Sequence, residues 1–188
     1  VKAAKAELRY HADFLERLQL DPTHKIALHI GGVYRDRNAS LQRFRRRFQS
    51  LPDDVRSRLV LENDERSYGA EDVLALSEAL GIPVVFDHLH HLSQTGRPPT
   101  KKLLARVFES WLRSDGPPEL HYSTQKTGSR AGTHSNMVDP QDFVRFLQLL
   151  PRTNIDIMLE AKSKDLALLS LRRELTAYSH RLKGWVVT

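Results

Sequence analysis

The sequence has 188 residues, 40% hydrophobic and 28% charged, with a formal net charge of +6. That balance belongs to a soluble globular chain long enough for a substantial core. Cysteine is absent, which excludes a disulfide framework and thiolate zinc sites and leaves histidine and carboxylate as the strong metal ligands. No apolar stretch approaches the roughly 20 residues needed to cross a bilayer, and no signal-peptide core opens the chain. A cytoplasmic protein is expected, nucleoid-associated if bacterial, without a membrane partner. The positive balance favours a polyanionic partner, nucleic acid first.

Residues 1–18 read as a helix. In a βα series a helix follows a strand, so the chain is expected to begin inside a larger fold and to lack about three βα units. KIALHIGG (25–32) is the first strand, ending in a glycine pair that lets backbone approach a ligand closely. Asn38 or Ser40 is expected to cap the helix SLQRFRRRFQSL, which Pro52 interrupts. RLVLEN (58–63) is the second strand, and Tyr68–Gly69 leads into the helix AEDVLALSEAL, stopped by Gly81. PVVFD (83–87) is a third strand, apolar without alternation, as suits a parallel strand buried on both faces. HLHHLSQTGRPPT has low helical propensity and is expected to be a loop. A helix over 100–113, the short strand ELHYS and a polar loop over 124–138 follow, and Asp139–Pro140 opens the helix QDFVRFLQLL. The strand DIMLEA and the helix KDLALLSLRRELTAY close the pattern, and the tail over 179–188 gives no clear signal. No composition break divides the chain, so 1–188 is expected to be a single domain: an α/β fold, about five C-terminal βα units of a TIM (β/α)8-type barrel.

The chemistry lies at the strand ends. His29, Glu62, Asp87, His121 and Glu160 each close or follow a β-like run, so parallel strands would deliver one polar ligand apiece to a common face. From His29 the next members lie 33, 25, 34 and 39 residues on, near the roughly 31 residues per unit of a barrel of about 250 residues. His90, three residues past Asp87, and His134, in the loop after the fourth strand, join the set. These ligands exceed what one structural ion uses and suit up to three divalent cations, each with positions open for water and substrate. Taken singly, Glu62 or Glu160 could be half of a buried salt bridge, for instance to Lys162, and His29 or His121 a satisfied core histidine. His88 and His91 are read as loop or DNA-facing residues, since five consecutive residues cannot all face one site. Lys126 and Arg130 are candidates to hold DNA phosphates, with Tyr34 a further DNA-binding candidate. The RFRRRF segment (43–48) reads as the solvated face of an outer helix.

The strings HIGGVYRDR, LVLENDE, VVFDHLHH, ELHYST, THSN and DIMLEAKSKDLALL, in this order, resemble the ultraviolet-damage endonuclease family, TIM-barrel relatives of apurinic endonucleases and xylose isomerases. The likeness extends to about Tyr178. It implies a divalent-metal nuclease, usually using manganese, that nicks double-stranded DNA 5′ to cyclobutane pyrimidine dimers and 6-4 photoproducts. The family's ligands carry over onto His29, Glu62, Asp87, His90, His121, His134 and Glu160, with Glu62, Glu160 and His121 expected to carry catalysis. Family members have a lysine that can be carboxylated two residues before their counterpart of His121. Here that place is Glu119, which supplies a carboxylate on a shorter stem and is expected to be a ligand. The N-terminal part of the family fold, with a further histidine ligand and lesion-probing side chains, lies outside this sequence, so this piece alone need not be active. The alternatives are a metal-dependent sugar isomerase or epimerase on the same kind of barrel, or a non-catalytic DNA-binding remnant. No protein partner is implied.

Overall fold

The computed structural model describes residues 2–151, 154–183 and 185; of the expected single domain over 1–188, the other positions lie outside the described residues. Helix α1 (Lys2–Arg17) leads into β1 (Ile26–His29), α2 (Arg37–Gln49) and one turn of helix, α3 (Asp53–Arg56). Then come β2 (Leu59–Glu62), α4 (Ala70–Leu80), β3 (Val84–Asp87), α5 (His88–Thr95) and α6 (Lys101–Glu109). The chain continues through β4 (Glu119–Tyr122), α7 (Pro140–Leu147), β5 (Asp156–Leu159) and α8 (Lys164–Leu175). The five expected βα units are all present.

All five strands run parallel, and their order in the sheet is their order in the chain. Parallel crossovers are right-handed almost without exception, so an unbroken sequential order places every connecting helix on the same side of the sheet. That is the winding of a barrel wall and differs from the two-sided winding of an open doubly wound sheet. Side-chain alternation shows the two faces. Leu59, Leu61, Val84, Phe86, Leu120 and Tyr122 pack with α4, α6 and α7 through Val73, Leu104, Val107 and Val144. On the opposite face Val60 and Val85 pack with Trp111, whose indole N–H donates to the Val84 carbonyl at 2.8 Å.

Both faces of the central strands are therefore covered, and β2 and β3 are buried at every position. Burying Leu59, Val60 and Leu61 stabilises by roughly 2 kcal/mol apiece, which anchors the strand whose last residue is the charged Glu62. On β1 and β5 burial alternates, and the residues that share the inner face, Ala27 and His29 or Asp156 and Met158, are exposed. The register pairs His29 with Glu62 and Asp87 with His121 at the C-terminal ends of the strands. Strand ends thus converge on one rim of the sheet.

Two local expectations are corrected. Residues 88–95 form α5 and not a loop. The Asp87 carboxylate caps it by accepting from His90 N at 2.6 Å, Gly96 ends it in the left-handed region at φ 66°, and His88, Leu89 and His91 are buried. Capping and burial outweigh a propensity deficit of only tenths of a kcal/mol per residue. Helix α2 starts earlier than expected, because Asp36, and neither Asn38 nor Ser40, accepts from the Ala39 N–H as its N-cap. Among the described residues no helix is long and apolar enough to cross a membrane.

Candidate metal centre

Glu62 is the hub. One of its oxygens lies 3.0 Å from His29 Nε2, and the other lies 3.1 Å from His121 Nδ1 and 3.6 Å from His90 Nδ1. Two sets of donor atoms each fall within 4.8 Å of one another: His29, Glu62 and His90, then Glu62, Asp87 and His121. Glu160, the first residue past β5, extends the cluster, 3.7 Å from His121 Nδ1 and, through its other oxygen, 3.7 Å from His134 Nε2. Glu119 lies across the ring of His121, 3.4 Å from Nε2, on the opposite edge from Glu62. The structure therefore gathers all eight residues read as metal ligands around one rim, contributed by β1 to β4, by the first turn of α5 and by the segments that follow β4 and β5.

The backbone dictates several of these positions. Asn63, fully buried, extends the β2–β3 ladder with its side chain: its amide donates to the Asp87 carbonyl at 3.0 Å and its oxygen accepts from Asp87 N at 2.9 Å. The Asn63 carbonyl in turn lies 2.9 Å from His90 Nδ1, so that nitrogen donates and Nε2 keeps its lone pair free for a cation. Just beyond, Asp64 accepts from the backbone N–H groups of Arg66, Ser67 and Tyr68 and closes the turn that enters α4. Neither Asn63 nor Asp64 stands out in the sequence except as the polar centre of LENDE. His88 and His91, read as loop or DNA-facing residues, point the other way. His88 stacks on Tyr122 at a 4.8 Å centroid distance and meets Phe146 at 4.6 Å, while His91 lies 5.2 Å from Phe86.

Electrostatics decides what the cluster suits. Among the described residues no lysine or arginine pairs with Glu62, Asp87, Glu119 or Glu160; their only ion-pair partners are histidines. The salt bridge from Glu160 to Lys162 that the sequence allowed is not formed. Without a cation, protons hold the carboxylates together. Burial pulls the Glu62 carboxyl up, but hydrogen bonds from His121 and His29 outweigh it and hold the group at about 2. Burial likewise works against a charged His121, yet the hydrogen bonds to Glu119 and Glu62 and the Glu160 charge lift it to about 10. His29 is raised chiefly by its hydrogen bond to Glu62. Asp87 is pushed up to about 6 by burial, and its Oδ2 is buried without a hydrogen-bond partner. An acceptor stranded in this way, next to imidazoles and a second carboxylate, fits a divalent cation.

The DNA-binding candidates lie in loops that leave the same rim. Tyr34, in the turn after β1, is 81% exposed. Lys126 and Arg130 are exposed on the loop after β4, which folds back as Lys126 N donates to Thr133 O at 2.7 Å and Gln125 meets His134 in a bridge. The Gln125 amide donates to the carbonyls of Lys126 and Arg130, both at 3.0 Å, and holds that loop in shape. The RFRRRF segment lies in α2, where Phe44 and Phe48 face the core and Arg46 and Arg47 are exposed.

Comparison with known proteins gives one answer at every level. The model of a family described as UV-endonuclease UvdE matches residues 1–184. A UV DNA damage endonuclease of Clostridium perfringens is 37% identical over 163 residues, covering 86% of this chain and 40% of that protein. One from Bacillus velezensis is 36% identical over 189 residues, covering 98% of this chain and 59% of that protein. The crystal structure of SacUVDE superimposes with a TM-score of 0.85 at 34% identity over 95% of this chain and 60% of that one. The chain thus spans about 40–60% of the length of these relatives.

Proposed function

Because the chain belongs to the UV-endonuclease UvdE family, we propose that it carries much of the catalytic face of a DNA repair endonuclease that nicks duplex DNA 5′ to ultraviolet photoproducts. One observation carries this reading: four carboxylates and four imidazoles converge on a single rim, with no lysine or arginine among the described residues to neutralise them. Family membership leaves the sugar isomerase alternative without support.

The reaction is hydrolysis of a phosphodiester, with water attacking phosphorus in line with the departing 3′-oxygen. Bound divalent cations, manganese first among them, would supply Lewis acidity, activating water and offsetting charge on the phosphoryl oxygens. The side chains do the positioning. Glu62, which belongs both to the donor set with His29 and His90 and to the set with Asp87 and His121, would help hold the cations. Asp87 would present its free Oδ2, and Glu160 with His134 would complete the outer side. Glu119, at the far edge of His121, would fix the ring's orientation or supply a further oxygen. Lys126 and Arg130 would contact DNA phosphates and set the register of the duplex. A photodimer stacks badly, so the duplex costs less to kink there, and lesion preference follows from deformability. Such a substrate would place the protein in the cytoplasm, at the nucleoid if its source is bacterial.

The test is incision of irradiated and unirradiated duplex by the purified full-length protein with manganese. Selective nicking of irradiated DNA is expected. Equal cutting of both removes the lesion assignment, and no cutting by a manganese-loaded protein removes the nuclease reading.

A further inference from the structure

A tyrosine at the mouth of the proposed centre is built into an unusual position. Tyr34 has φ 57°, the left-handed region that residues carrying a Cβ adopt only under strain. The residue is 81% exposed, so the fold recovers little from burying it. An exposed aromatic alone is ordinary. This one is held in place. The Ser40 hydroxyl, itself buried, donates to the Val33 carbonyl at 2.5 Å, fixing the residue before Tyr34. The Arg43 guanidinium donates to Ser40 Oγ and lies 5.5 Å from the centroid of the Tyr34 ring. The ring edge runs along Gly32, where even an added Cβ would meet Cε2 and Cζ at 3.8 Å. The loop itself begins at His29, which closes β1 beside Glu62.

A water-exposed ring, backed by an arginine and standing five residues past a candidate ligand, has the form of a shelf for a planar ligand. Arg35, exposed beside it, and Arg43 give the surroundings a positive potential suited to flanking phosphates. We infer that Tyr34 is the platform on which an unstacked nucleobase of the damaged duplex rests during incision. This role rests on the nuclease reading above. It goes beyond phosphate contact, because aromatic stacking contributes roughly 1–3 kcal/mol per base, about fivefold to over a hundredfold in affinity, and tolerates any base. The ring would thereby reward the base that a lesion frees, and not the intact duplex.

The test uses the full-length protein under non-cleaving conditions, with duplexes that carry 2-aminopurine beside a cyclobutane dimer or at the same place without one. The Tyr34→Asn variant removes the ring without adding strain, since asparagine tolerates the left-handed region, and Tyr34→Phe keeps the ring. The parent chain and Tyr34→Phe should bind the dimer duplex preferentially and quench its 2-aminopurine. Tyr34→Asn should lose the quenching and bind the dimer duplex about tenfold to a hundredfold more weakly, with a much smaller loss on intact duplex. If Tyr34→Asn keeps the affinity and the quenching, or weakens both duplexes equally, the stacking role is wrong while the nuclease reading stands. If the full-length parent protein binds neither duplex, both are overturned.

Discussion

Glu62 offers one oxygen to His29 and the other to His121, and it does so from the end of a strand buried at every position. An ionised carboxylate there carries a desolvation penalty of several kcal/mol, which only opposite charge at close range offsets. In the metal-free chain that charge comes from protonated imidazoles; in the working protein we assign it to divalent cations. The Glu62→Gln substitution keeps the shape and removes the charge. It should weaken manganese binding by at least the tenfold to hundredfold that loss of an outer-shell partner costs, and abolish incision, with DNA affinity within a few-fold of the parent. Titration calorimetry with manganese and a filter-binding assay with duplex check the two halves. A variant that binds manganese as the parent does would remove Glu62 from the centre. The residues at strand ends were legible because each one punctuates an apolar run. Their mutual geometry was not, since sheet twist and register, and not spacing, decide that Glu119 meets the far edge of His121 while Glu62 meets the near one.

At the scale of the element, helix α5 is the instructive case. HLHHLSQT is a poor helical sequence by propensity, and its histidines draw attention as ligands. Its signals were the Asp87 cap in front and Gly96 behind, which also direct His90 to the centre and His88 to the opposite side. His88 packs between Tyr122 of β4 and Phe146 of α7, and burial pulls its pKa down to about 4, with the His91 charge adding to the effect. The ring is therefore neutral when folded and titrates near 6.5 when unfolded, so the unfolded state binds more protons between those values. The contribution of His88 to the stability of the metal-free chain should be complete above about pH 6.5 and be lost on acidification toward pH 4, opposite in sign to that of Asp87, whose raised pKa favours folding as pH falls. His88→Phe, which keeps an aromatic ring in the stack, should flatten that part of the profile. Urea midpoints from pH 4 to 7.5 measure it, and an identical slope in the variant would exclude His88 as the source. Asn63, by contrast, carried little signal, since nothing in a one-dimensional pattern shows that an amide will extend a ladder between two strands.

At the scale of the molecule, one sheet with sequential parallel strands turns the ends of five strands into neighbours. The apolar inner layer of Val60, Val85 and Trp111 lies beneath, and the carboxylates and imidazoles form the layer above it. A chain of net charge +6 thus keeps a concentrated negative group on one rim while lysines and arginines remain on helices and loops around it. This arrangement attracts both halves of the proposed reaction, cations to the rim and a polyanion to its surroundings. The winding was legible because apolar runs alternate with helical patterns; the alternating burial of β1 and β5 was not, because burial at an edge depends on what lies beside it. The account stands on the rim binding divalent cations, and anomalous diffraction at the manganese edge from a manganese-soaked crystal addresses that directly. It should show peaks between Glu62, His29 and His90, and between Glu62, Asp87 and His121. A well-ordered crystal with no anomalous peak among these residues would contradict it.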